Sequence, residues 1–230
     1  MRLLAIGDIH GCLTALDTLI DRVRPAGDDT LVLLGDYVDR GSCSRGVLER
    51  LLQLHSRTRL VTLCGNHEQM MLESRHDPML RESWLWYGGD TTLESYASAD
   101  RPGDLSSVPP EHWQFMENCR DWFETENHFF VHACAAPDVP LEHQPISALR
   151  WERFDDPPSH RSGKVMICGH TRQASGWPRN IGHAICIDTW VYGPGWLTCL
   201  DVGSGQFWQA NELGQSRQAQ IADFLVGESV

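Results

Sequence analysis

Three short stretches place reactive side chains directly after apolar runs. LLAIGDIHG (3–11) ends in Asp8 and His10, TLVLLGDYVDRG (30–41) in Asp36, Asp39 and Arg40, and LVTLCGNHE (60–68) in Asn66, His67 and Glu68. Two later runs end in the same way, HFFVHA (128–133) with His132 and KVMICGH (164–170) with His170. Carboxylates, imidazoles and a side-chain amide make a mixed oxygen and nitrogen donor set. Such a set suits divalent Mn, Fe or Zn and lacks the thiolates of a structural zinc site. Two ions about 3.5–4 Å apart clamp the attacking and leaving oxygens of a phosphoryl transfer. A turn needs one Asp, Asn or Gly, and one histidine at a strand end is ordinary. Five such endings in one chain point to shared chemistry.

Arg40 adds a guanidinium that can take two phosphoryl oxygens at once. His67 can give a proton to a leaving alkoxide, and Asp39 is its natural partner. Glu68, just inside the next helix, suits a helix N-terminus.

The elements that must position these residues are legible around them. The first 75 residues read as strands at about 2–7, 30–35 and 60–65, each followed by a helix, at about 12–23, 45–55 and 67–74. This repeat predicts the α/β class, with central β-sheets flanked by helices. In such sheets the ligand site lies beyond the carboxyl ends of the strands, where all three loops fall. Residues 76–127 read as a helical insertion with a loop, including an amphipathic piece at 110–125, inside a single domain spanning 1–230. Within it, Trp84, Trp86 and Tyr87 suit either the core or the wall of a substrate cleft. From 128 on, strands return at 128–133, 164–170, 183–189, 196–202 and 207–211, the last three as a meander. The polar stretch 212–230 reads as a fraying tail.

Composition narrows the function. With 19 Lys and Arg against 31 Asp and Glu, the net charge is −12, which opposes a nucleic-acid backbone as the main partner. None of the eight cysteines forms a C-x-x-C pair, so they read as free core thiols. The opening MRLLAIGDIHG leads straight into a strand and a motif. That predicts no signal peptide and no membrane span, hence a reduced, cytoplasmic protein.

GDIHG, GDYVDRG and GNHE resemble the signature of the calcineurin-like metallophosphoesterases. The DYVDRG and GNHE forms resemble the Ser/Thr protein phosphatase branch, particularly its compact bacterial and phage members. VHA (131–133), GHT (169–171) and IDT…GWLTCLDV match in kind and order, so the resemblance covers most of the chain. It implies an α+β sandwich of mixed sheets with a dinuclear metal site at the strand ends. Asp8, His10 and Asp36 would take one ion, and Asp36, Asn66, His132 and His170 the other, with Asp36 bridging. It also implies a phosphoester hydrolase in which water activated between two ions, manganese before iron or zinc, attacks phosphorus in line. His67 would be the acid, Asp39 its orienting partner, and Arg40 and Asn66 phosphate ligands. The family's second phosphate-gripping arginine would fall in LRWERF (149–154), as Arg150 or Arg153. Trp190 stands where resembling chains carry a small residue.

The expected substrate is a phosphorylated protein at Ser or Thr. The alternative is a small molecule such as a dinucleoside polyphosphate. Resembling enzymes with that activity tend to have Ala in place of Asp39 and Asp in place of Glu68. A scaffold without catalysis should have lost ligands, and every expected one is present.

Overall fold

The computed structural model describes residues 1–226. The amino-terminal repeat forms β1 (Leu3–Ile6), α1 (Leu13–Val23), β2 (Thr30–Leu33), α2 (Ser44–His55), β3 (Arg59–Thr62) and α3 (Asn66–Glu73). The insertion holds α4 (Pro78–Trp84), α5 (Asp90–Ser95) and α6 (Pro110–Glu117). Next come β4 (Trp122–Glu124), β5 (His128–Val131), α7 (Ile146–Trp151), β6 (Val165–Cys168), β7 (Arg179–Asn180) and β8 (Ala184–Cys186). The chain closes with β9 (Asp188–Thr189), β10 (Trp196–Asp201), β11 (Gln206–Ala210) and β12 (Ser216–Gln220).

These strands make two mixed sheets. One has seven strands in the order β12-β11-β10-β1-β2-β3, with β9 also on β10; the other has five in the order β4-β5-β6-β8-β7. Strand alternation decides what each face covers. Leu4, Ile6, Leu31 and Leu33 pack under α1 and α2. Ala5 and Val32, on the opposite face, meet Phe130, Ile167 and Ile185 of the second sheet. Phe129 and Val131 then turn outward, to Leu149 of α7. The result is a sandwich of two sheets with helices on both outer faces. β1, β2 and β3 run parallel, as do β5, β6 and β8. The apolar strands therefore deliver their terminal loops to one shared rim.

Three expectations need correction. The stretch 183–189 is not one strand: β8 belongs to the second sheet and β9 to the first, and the chain crosses between them at buried Ile187. The amphipathic piece at 110–125 is helical only to Glu117 and then becomes β4. Much of the expected fraying tail is β12, paired along its length with β11; the alternation hidden in SRQAQ is that of an edge strand with one solvated face. Residues 227–230 of that tail lie outside the described residues. Among the described residues no helix is long and apolar enough to cross a membrane.

Asp29 closes the entry to β2. Its carboxylate accepts from the Arg2 amide (2.6 Å), the Arg2 guanidinium (3.0 and 2.7 Å) and the Ala26 amide (2.9 Å). Burial alone would raise its pKa, but Arg2 and these amides outweigh burial and hold it at about 2. A depressed carboxylate stabilises the fold above its unfolded pKa of about 3.9, and that contribution fades as pH falls toward the folded value. Asp29→Asn should therefore cost about 2 kcal/mol near pH 7, and its denaturation curve should converge with wild type as pH drops from about 4 to 2. A pH-independent difference would contradict the ion-pair account.

Candidate active site

Among the described residues eight non-glycine positions have positive φ, and six surround the rim: His10 (47°), Asp36 (52°), Asp39 (72°), Arg40 (70°), His170 (61°) and Trp190 (66°). This left-handed backbone is costly for L-residues and persists where surrounding contacts over-determine it. Glu68 is one such contact. Buried at the start of α3, it accepts from the amides of Gly65 (3.0 Å), Asp36 (2.8 Å) and Tyr37 (2.7 Å). It starts the helix, as its position suggests, and also fixes the loop that carries Asp36. Two glycines let backbone pass close to carboxylates. A Cβ on Gly65 would collide with Asp36 Oδ1, and one on Gly169 with Asp8 Oδ1.

Four imidazoles converge on Asp36, and their hydrogen bonds sort them. His10 donates Nδ1–H to the Val38 carbonyl (3.0 Å), His132 donates Nδ1–H to the Leu34 carbonyl (2.8 Å), and His170 donates Nε2–H to the Trp151 carbonyl (3.1 Å). A carbonyl can only accept, so the other nitrogen of each ring carries a lone pair. For His10 and His132 that nitrogen lies 3.4 Å from an Asp36 oxygen. His132 Nε2 and His170 Nδ1 each lie 3.0 Å from Asn66 Oδ1. Burial pushes all three histidines toward the neutral form, His170 to about 4. One nitrogen bonded outward and the other turned inward is how protein structure presents imidazole to a metal; at His10 the inward nitrogen also meets the Arg40 guanidinium.

The acidic residues fit the same description. Asp8, Asp36 and Asp188 are each 2% exposed. Burial, then Asp188 and Asp36, drive the Asp8 pKa well up; burial also raises Asp188, to about 6. Burial opposes the charge of Asp36, yet it stays ionised, held by attraction to the imidazoles around it, of which His67 keeps its proton. Buried carboxylates crowded together need a cation or a proton. Two imidazole nitrogens also converge on the side-chain amide of Asn66. The residues present therefore fit divalent metal. The ligand atoms of His10, Asp36 and His67 lie within 4.8 Å of one another, as do those of Asp36, His132 and His170. Asp8 belongs to neither cluster: both its oxygens accept from the His170 amide, at 3.1 and 3.0 Å.

His67 differs from the other three. Its Nδ1–H donates to Asp39 Oδ2 at 2.7 Å, while its Nε2 stands 3.9 Å from Asp36. Burial works against its charge, but Asp36 and Asp39 outweigh burial and raise its pKa. Asp39 is itself held by Trp84 Nε1–H (2.8 Å) and by the Thr92 hydroxyl (2.7 Å). Trp84 is fully buried and belongs to the core, not to a cleft wall, whereas Trp86 is 88% exposed. Trp84→Phe keeps the ring and removes one donor to a carboxylate. It should cost about 1–3 kcal/mol in urea denaturation and slow turnover severalfold with metal content unchanged. Loss of stability with no change in rate would make the bond structural alone.

The arginines also separate. Arg40 reaches His10 Nε2 at 2.9 Å and lies over the Tyr192 ring. Arg150 is bonded to Asp121 and Gln69. Arg153 lines the same cavity as Arg40 and His170. Thr92, Asp188 and Tyr192 carried no expected role in the sequence, and Trp84 none toward Asp39. Only Asp188, in the IDT stretch after a buried strand, carried a pattern that could have revealed it.

The sequence profile of the calcineurin-like phosphoesterase family matches residues 1–173, and the chain belongs to that family. It is 31% identical over 156 residues to serine/threonine-protein phosphatase 1 of Salmonella typhimurium, covering 66% of this chain and 63% of that protein. It is 34% identical over 144 residues to the symmetrical bis(5'-nucleosyl)-tetraphosphatase of Pseudomonas syringae pv. syringae, covering 62% and 45%. The chain thus spans less than two thirds of the length of either relative. A protein serine/threonine phosphatase from Saccharomyces cerevisiae superposes with a TM-score of 0.62 at 16% identity, covering all of this chain and 81% of that one. At that identity the likeness is one of fold.

Proposed function

We propose that this chain is a metal-dependent phosphoester hydrolase acting on phosphoserine and phosphothreonine in protein substrates. The observation that carries this reading is the division of the four imidazoles. Three are tied to backbone carbonyls and aim a lone pair at Asp36 or Asn66, while the fourth is tied to a carboxylate and keeps its proton. The first three suit ligation and the fourth suits acid catalysis. Asp8, His10 and Asp36 would hold one ion, and Asp36, Asn66, His132 and His170 a second. Manganese is the expected metal, with iron and zinc compatible with the same donors. Such ions, when bound, neutralise the buried carboxylates and make a nucleophile of water at neutral pH.

The chain's own residues supply the rest. Arg40 binds the phosphoryl oxygens with Asn66 beside it, and Arg153 is better placed than Arg150 to join them. His67 protonates the leaving oxygen, and Asp39, braced by Trp84 and Thr92, orients His67 and supports its charge. The eight cysteines are all free thiols, which supports a reducing, cytoplasmic setting.

A second reading keeps the chemistry and changes the substrate to a dinucleoside polyphosphate, as the Pseudomonas relative suggests. The Asp39–His67 pair favours the first reading, because resembling tetraphosphatases tend to carry Ala in place of Asp39. The deciding experiment strips the metal, reloads manganese, and compares phosphate release from a phosphoserine or phosphothreonine peptide with cleavage of diadenosine tetraphosphate. Faster peptide turnover is expected. Faster nucleotide cleavage moves the function to nucleotide turnover, and inertness toward both removes the hydrolase reading.

A further inference from the structure

The cleft beside the imidazoles carries more positive charge than one phosphate requires. Arg40, Arg153 and Arg172 line a single cavity of about 450 Å³ with His170 and Tyr192, in a chain whose net charge is −12. Arg40 faces the imidazoles. Arg172 is set apart from them, with its guanidinium 4.7 Å above the centre of the Trp190 ring. Among the described residues, the ion pairs leave Arg172 without a carboxylate partner, while exposed Arg153 has only Asp155, at 3.8 Å.

Trp190 is an unusual support. Its φ of 66° lies in the left-handed region, where a bulky side chain is a genuine outlier. Its amide donates to Asp188 Oδ1 at 3.0 Å, and its ring meets the edge of Tyr192 at 6.4 Å. Backbone strain is therefore maintained at a residue whose indole props an exposed arginine. Stacking fixes a long side chain before any ligand arrives, so less rotamer freedom is lost on binding.

We propose that Arg172, held on the Trp190 face with Arg153 nearby, reads a second anionic group of the substrate, adjacent to the phosphate that is cleaved. Resting on the phosphoester-hydrolase reading above, this defines the preferred substrate class as phosphoesters with a neighbouring phosphate or carboxylate. Two sources share that chemistry: an acidic or doubly phosphorylated peptide, and the next phosphate of a nucleoside polyphosphate.

Arg172→Met keeps the length of the side chain and removes its charge. Calorimetry on manganese-loaded protein should show pyrophosphate binding weakened about tenfold or more, the scale of one charge-assisted contact, and orthophosphate weakened far less. Arg172→Lys should restore part of the difference. Equal weakening of both anions, or no weakening of either, overturns the proposal. Because this arm reads binding, it stands even if no peptide or nucleotide turns over, a result that would sink the hydrolase reading separately. The source is then read from kcat/KM ratios in wild type and Arg172→Met. One pair is a phosphopeptide with an aspartate beside the phosphoserine against its alanine counterpart; the other is ATP against AMP. Loss of preference in the peptide pair assigns acidic peptides, and loss in the nucleotide pair assigns polyphosphates. A preference unchanged in both pairs also overturns the proposal.

Discussion

Asp36→Asn is expected to abolish bound metal and turnover together, lowering kcat/KM by about 10³-fold or more. Asp36 offers one oxygen toward His10 and the other toward His132, each at 3.4 Å, so among the described residues it is the carboxylate shared by both clusters. Asparagine is nearly isosteric, tolerates left-handed backbone and keeps an oxygen to accept the His67 amide, now 3.1 Å from Asp36 Oδ1. The fold should survive, and circular dichroism should match wild type. Metal analysis after reloading should show both ions reduced. Retention of full metal content and rate would mean that Asp36 bridges nothing and that the two clusters are not one centre.

His67→Asn should leave metal content intact and slow hydrolysis of alkyl phosphoesters by about 10²–10⁴-fold. An aryl phosphate should suffer much less, because its leaving group needs little protonation. The prediction also has a pH signature. His67 holds its proton above the ordinary histidine range, so the wild-type rate on alkyl substrates should fall as pH rises through that raised pKa. The variant should lack this limb. The geometry contains a direct rival, since His67 also clusters with His10 and Asp36. If His67→Asn loses a metal ion, or slows aryl and alkyl substrates equally, the residue is a ligand and the acid must be sought elsewhere.

What could be read from the chain followed how local each signal was. Apolar runs ending in Gly-Asp or Gly-Asn carry their polar residues with them, so Asp8, His10, Asp36, Asn66 and His67 were legible with their strands. His132 and His170 came from the same grammar farther on. Trp84 and Thr92 were not legible as Asp39's supports, because they contact it across 45 and 53 residues through a helical insertion with no spacing rule. The break at Ile187 was hidden because HAICIDT is apolar throughout its middle, and nothing local says that the chain changes sheets there. β12 was missed for the opposite reason: an edge strand with one solvated face looks like polar tail. Between Arg150 and Arg153, sequence could not choose, since the contacts that distinguish them, Asp121 and Gln69 at Arg150, come from distant parts of the chain.

The central claim is that one buried carboxylate joins two metal sites. Anomalous diffraction from crystals of the manganese-reloaded protein, collected on both sides of the manganese edge, tests it most directly. The account predicts two peaks sharing Asp36, one beside His10 and Asp8 and the other beside Asn66, His132 and His170. A single peak, or an active enzyme with manganese bound away from Asp36, would contradict it.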